Sequence, residues 1–173
     1  AAKVYAIDVG YGQLAWALRT DERVINLERT NIRHLEPDKV LEPIDFASID
    51  VSFISLTLVL PVLRQFLKEN GEVVCLVKPQ FEAGKGKVGK KGVVREPEIH
   101  FEVLKKILDF CNENGFCVMG MDYSPVKGPE GNIEYLYHMS YTGKASEFTE
   151  DDLQVLVGRS HRALDKGEAT CVF

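Results

Sequence analysis

No two of the four cysteines (Cys75, Cys111, Cys117, Cys171) form a C-x-x-C pair. That argues against a cysteine-built zinc site and for reduced thiols in a cytosolic core. The four histidines, His34, His100, His138 and His161, lack ligand spacing and a companion nucleophile, so they read as structural or surface residues and no metal is expected. No apolar run approaches the roughly 18 residues of a membrane span. The opening residues do not read as a secretory signal either. A basic surplus is also missing. Lys and Arg number 21 against 26 Asp and Glu, a net charge of −5. This is a weak argument against a nucleic-acid binder acting through its whole surface. Any contact with RNA must come from a local patch or from a segment outside this sequence.

What is present fits one domain with a sizeable core: 173 residues, 45% of them hydrophobic. Strands are expected over Val4–Val9, Val24–Glu28, Phe46–Asp50, Val73–Lys78, Phe116–Tyr123 and Ile133–Tyr141. Helices are expected over Tyr11–Arg19, Leu56–Lys68 with a stop at Asn70-Gly71, Pro97–Asn114 and Thr149–Lys166, with Thr149 or Ser146 as the last helix's cap. The alternation predicts an α/β fold, a mostly parallel sheet with helices on both faces. The chain opens almost directly on a strand, which reads as the interior of a domain. The closing Cys171-Val-Phe173 has no assigned role.

Four segments carry chemistry. Val73–Val77 reads as a buried strand ending on Lys78, and Pro79 bars its continuation. A strand's carboxyl end is where open α/β sheets place their ligands. Beyond it, residues 78–95 hold six basic side chains, Lys78, Lys85, Lys87, Lys90, Lys91 and Arg95, against one acid, Glu82. Such a cluster suits backbone phosphates, or is simply a solvated loop. Its G-x-x-x-x-G-K-K pattern lacks the Ser or Thr of a phosphate-binding P-loop. The second segment, Asp8-Val-Gly10-Tyr-Gly12-Gln-Leu-Ala15, matches a dinucleotide fingerprint, with Glu28 placed 18 positions after Gly10. Against that, a carboxylate at Asp8 would repel a pyrophosphate and is better suited to ribose hydroxyls. A plain turn is the third possibility. In the third segment Asp50 ends an apolar strand ahead of Val51-Ser52-Phe53, and Asp50 or Ser52 could instead cap the next helix. In the fourth, Glu134 begins an aromatic and apolar strand and needs a partner if buried, for which Lys78 is a candidate.

These residues resemble a known family. The segments around Asp8, around Asn31 in Glu-Arg-Thr-Asn-Ile-Arg, around Asp50, and in Leu-Val-Lys78-Pro-Gln-Phe-Glu-Ala-Gly-Lys are similar to the TlyA or haemolysin-A family. Its catalytic domain is of the FtsJ type, a Rossmann-like class I methyltransferase. The resemblance implies S-adenosyl-L-methionine (SAM) as cofactor and 2′-O-methylation of ribose in ribosomal RNA, by a cytoplasmic protein working on RNA or ribosomal subunits. It implies catalytic roles for Asp50, Lys78 and Glu134, with Lys78 as the base. Asp8, Gly10, Asn31, Ile32 and Asp50 are implied for the cofactor, and Lys85, Lys87, Lys90, Lys91 and Arg95 for RNA. The family's first catalytic lysine, its first strand with a glycine-rich loop, and its S4-like amino-terminal domain have no counterpart here. All of residues 1–173 then read as the methyltransferase domain, with a gap expected between the strands ending at Asp8 and Asp50. The competing expectations are a haemolysin acting on membranes, a nicotinamide enzyme using Gly10 and Gly12, and an RNA binder without catalysis.

Overall fold

The structure, a computed structural model, describes residues 1–165, apart from the side chains of Lys90 and Asp165. Cys171, Lys166 and the closing Cys171-Val-Phe173 lie outside the described residues. The elements run β1 (Val4–Ile7), α1 (Trp16–Arg19), β2 (Val24–Leu27), β3 (Ile44–Ile49), α2 (Leu56–Leu63), β4 (Leu67–Val77), α3 (Pro79–Glu82), α4 (Pro97–Glu113), β5 (Phe116–Tyr123), β6 (Tyr135–Tyr141) and α5 (Glu150–Asp165).

The strands form two sheets. One is the parallel pair β1–β2, and the other has the order β3-β4-β6-β5. β3 and β4 are parallel, and β6 runs antiparallel to both its neighbours. The sheet is therefore mixed, because consecutive β5 and β6 join as antiparallel neighbours through the 124–134 connection. The open edges of β1 and β3 face each other across a groove of about 770 Å3, lined by Val4, Tyr5 and Ile7 on one side and Ile44, Phe46 and Ile49 on the other. It lies where the resemblance placed a gap.

Alternation along β4 and β6 builds the core. Val73, Cys75 and Val77 pair with Met139, Tyr137 and Tyr135, and all six are buried on one face. α2, α4 and α5 cover that face with Leu56, Leu60, Leu104, Ile107 and Leu153. Removing one such leucine side chain typically costs about 2–5 kcal/mol. The buried Tyr137 hydroxyl donates to the Leu104 carbonyl at 2.9 Å, satisfying the group burial would otherwise orphan. The opposite face, with Val74, Leu76 and Leu136, is only half-buried, and Phe46 on it is 54% exposed. Helical cover of the larger sheet is thus confined to one face among the described residues.

Two expected elements differ. The helix predicted from Tyr11 begins only at Trp16. Gly12 takes a left-handed φ of 75°, and Glu28 captures the Gln13 and Leu14 amides, which holds 10–15 as an irregular loop. The helix from Leu56 ends at Leu63 instead of running to Lys68. Asn70-Gly71 falls inside β4, where Asn70 has φ 61° and the pairing jumps from Ile44↔Leu67 to Phe46↔Glu72, so the pair marks a bulge. α4 follows its pattern closely: Pro97 stands in the first turn and Gly115, at φ 81°, lies just past its end. Thr149 caps α5 by exchanging bonds with Asp152, whereas Ser146 binds Asn112 and the Val118 amide.

Burial pushes the Cys111 thiol up to about 12 and raises that of Cys75 further still, whereas Cys117 is only half-buried. Thiolate is the reactive form. In native protein at pH 8, peptide mapping after iodoacetamide should find Cys117 modified and Cys75 and Cys111 protected until denaturant is added. Labelling of Cys75 at the native-state rate of Cys117 would contradict this packing.

Candidate active site

Because β3 and β4 are parallel and in register at Ile49↔Cys75, the residues that follow them emerge at the same edge. Asp50 and Lys78 meet there, with Lys78 Nζ 2.6 Å from Asp50 Oδ1. Nζ also donates to Ser52 Oγ at 3.4 Å. The lysine side chain is 11% exposed and that of Asp50 is 66% exposed. With one partner so open to water, the pair adds roughly 0–1 kcal/mol to stability. Ser55, not Asp50 or Ser52, caps α2, accepting from the Thr57 amide. Asp50 is left free of a capping duty.

The four residues following Lys78 fold into the single turn of α3, with Pro79 in its first position. Gln80 Nε2 donates to Glu134 Oε1 at 2.8 Å. Phe81 packs on Phe53, ring centroids 4.8 Å apart. Phe53 is 91% exposed and holds a left-handed φ of 62°, an uncommon backbone for an aromatic residue. Glu82 is buried and accepts from the Leu56 amide and Ser55 Oγ, each at 2.7 Å. Glu134 is buried, and its hydrogen-bond partner is Gln80, not the candidate Lys78. The amide of Gln80 stands where the lysine was expected because the ammonium is drawn to Asp50. Gln80, Phe53, Ser52 and Glu82 were not singled out by sequence. The one available signal was an acid, Glu82, set among apolar residues directly ahead of a basic loop.

Asp8 follows β1, is exposed, and accepts from the Gly10 amide through Oδ1 at 2.6 Å. That amide is the one a pyrophosphate would need. Glu28, the fingerprint's acid, is consumed by the Gln13 and Leu14 amides and by Arg19 at 2.5 Å. The four-residue α1 starts well beyond the glycines. These three facts remove the nicotinamide reading. Asn31 Oδ1 accepts from the Arg33 amide and so shapes the turn that carries Ile32. Ile32, Ile7 and Asp50 line the same groove between the sheets. Asp8, Asn31 and Ile32 lie in the loops that follow β1 and β2, with the Thr30 amide tied to the Asp8 carbonyl at 2.9 Å.

The basic loop is more tightly held than its glycines suggested. Val93 and Val94 are buried, and Asn132 bonds both the Val94 amide and the Gly92 carbonyl at 3.0 Å. Lys85, Lys91 and Arg95 are exposed, and Lys87 pairs with Glu102. The Lys90 backbone belongs to a 3-10 turn. His100 is fully buried. Its Nε2 lies 3.2 Å from the Val94 carbonyl, which can only accept, so Nε2 carries the proton and Nδ1 receives bonds from the Tyr135 and His161 side. Among the described residues no group of three or more His, Cys, Asp or Glu is placed to hold a metal ion. No helix among them is long and apolar enough to cross a membrane.

An α/β sheet that presents acids at strand carboxyl ends beside a groove, one of them paired to a lysine, has the form of a class I methyltransferase. The chain belongs to the FtsJ-like methyltransferase family, whose model matches residues 1–141. It is 44% identical over 168 residues to the 16S/23S rRNA (cytidine-2′-O)-methyltransferase TlyA of Mycobacterium tuberculosis, covering 96% of this chain and 61% of that protein. It is 39% identical over 139 residues to Hemolysin A of Brachyspira hyodysenteriae, covering 80% of this chain and 58% of that protein. A solved structure described as "Putative hemolysin from Streptococcus thermophilus" matches with a TM-score of 0.91 at 46% identity, covering 97% of this chain and 61% of that one. The chain thus spans less than two thirds of the length of these relatives.

The Gln80–Glu134 contact depends on a glycine. A Cβ built on Gly128 would overlap the Glu134 carboxylate. Gly128→Ala should lower stability by about 1–3 kcal/mol in urea unfolding, as overpacking does. An unchanged midpoint would show that Glu134 has room to move.

Proposed function

We propose that this chain is the catalytic domain of a SAM-dependent ribosomal RNA ribose 2′-O-methyltransferase. The observation that carries the reading is the Lys78–Asp50 pair at the carboxyl ends of β3 and β4, beside the groove that Asp50 and Ile32 line. Its relatives' names support the substrate class, and a ribosomal substrate supports a cytoplasmic location.

The residues present suit the cofactor. Asp8 keeps one carboxylate oxygen for a ribose diol, since only its Oδ1 is engaged by Gly10. Asn31 and Ile32 would flank the adenine, and the exposed Asp50 carboxylate would face a cation. When bound, SAM supplies an electrophilic methyl group on a sulfonium. Asp50 favours that charge and anchors Lys78. Lys78 Nζ would accept the proton of the ribose 2′-hydroxyl, readying that oxygen for the methyl group whose departure from sulfur would leave the cofactor as a neutral thioether. For this Lys78 must enter the step as the neutral amine. Acid–base help of this kind contributes typically about 100- to 10,000-fold in rate. Gln80 and Glu134 brace the turn behind the lysine. Lys85, Lys87, Lys90, Lys91 and Arg95 would hold RNA phosphates, and an S4-like amino-terminal domain would add the basic surface this acidic chain lacks.

In the intact protein, Lys78→Ala should cut methyl transfer to ribosomal subunits at least about 100-fold. SAM affinity by calorimetry should stay within a few-fold. Retained turnover would remove Lys78 from the mechanism.

A further inference from the structure

Glu82 is the one buried carboxylate of the site segment that touches neither Lys78 nor Asp50, and its contacts are the most extensive there. Its side chain is 2% exposed. Oε1 accepts from the Leu56 amide at 2.7 Å. Oε2 accepts from Ser55 Oγ at 2.7 Å and from Lys106 Nζ at 3.0 Å. Lys106 Nζ also donates to the Glu82 carbonyl at 3.0 Å. Three elements are thereby joined: the loop after β3, the turn after β4, and α4. A carboxylate this buried persists only because charged and neutral donors surround it.

The location gives the tie its consequence. Glu82 ends the turn that Lys78 begins, and Ser55 ends the loop that Asp50 begins. Those two segments touch at four points: Lys78 with Asp50 and with Ser52, Phe81 with Phe53, and Glu82 with Ser55 and Leu56. The loop from Asp50 to Ser55 contains Phe53 in the left-handed region, a conformation that survives only when its surroundings over-determine it. The Asp50–Lys78 contact is exposed at one end and weak by itself. The buried end of the same pair of segments must supply the rigidity.

We infer that Glu82 is a positioning residue: it locks the Asp50–Ser55 loop onto the Lys78 turn, and so sets the geometry of the Lys78–Asp50 pair. This rests on the functional reading above and deepens it. Displacing reacting groups by about 1 Å can cost on the order of 100-fold in rate.

The test uses the intact protein with ribosomal subunits and labelled SAM. Glu82→Gln keeps the shape but turns an NH2 group toward Lys106 and Ser55, and Ser55→Ala removes one donor together with the cap of α2. Both should lower kcat, by about 10- to 100-fold for Glu82→Gln and less for Ser55→Ala. KM and the SAM Kd should move less than about threefold. Amide hydrogen exchange should quicken at residues 51–57 and stay unchanged in β4, β5 and α4, which a general loss of stability would not reproduce. Normal kcat in folded Glu82→Gln, or exchange that quickens throughout, overturns the inference. Lys78→Ala run beside them separates the two levels. If Lys78→Ala is inactive and Glu82→Gln is normal, the positioning role alone fails. If Lys78→Ala is active, the reading beneath it fails.

Discussion

Two parallel strands that end together must deliver their next residues to one place, and here those residues are Asp50 and Lys78. The rest of the site follows from that register. A one-residue slip of β3 against β4 would turn Ile49 out of the core and carry Asp50 away from the lysine. Burial of Ile49 on the face of Val73, Cys75 and Val77 makes such a slip costly, because it would exchange the core for the half-exposed face. Core packing and active-site geometry are therefore the same constraint seen from two ends of the strand.

The segment Lys78-Pro-Gln-Phe-Glu82 then distributes its side chains outward from one helical turn. Lys78 takes Asp50, Gln80 takes Glu134, Phe81 takes Phe53, and Glu82 takes the start of α2. Pro79 ends the strand and opens the turn, so the change of direction happens where the chemistry begins. On the far side of the groove, Ile32 lies in the loop that follows β2, whose sheet shares no strand pairing with β3. The cofactor-facing residues and the proposed base are thus brought together across a groove and not within one continuous sheet.

How much of this was legible depended on how far each residue's partner lies along the chain. α4 and β5 were readable because their signals are local: Pro97, the apolar spacing and Gly115 all act within the element. Asn70-Gly71 misled because a left-handed Asn ahead of a glycine serves both a helix stop and a strand bulge, and only the pairing with β3 decides. The start of α1 misled because Glu28, from the next strand, holds the preceding amides. Asp50 and Lys78 were legible from their places after apolar strands. Glu82 was not, since its partners at Ser55 and Leu56 lie 27 and 26 residues away and its sequence neighbours made it look like one acid in a basic loop. The burial of Glu134 was left open by the sequence, and the choice between Lys78 and Gln80 as its partner turns on where the ammonium goes. No local pattern encodes that.

The central claim is that this site transfers a methyl group to a ribose oxygen. The most direct measurement is nucleoside mass spectrometry of ribosomal RNA after unmodified ribosomal subunits are incubated with the intact protein and isotopically labelled SAM. The account predicts the label in a 2′-O-methylated nucleoside. Label found on a base, or none in RNA while SAM is demonstrably bound, would contradict it.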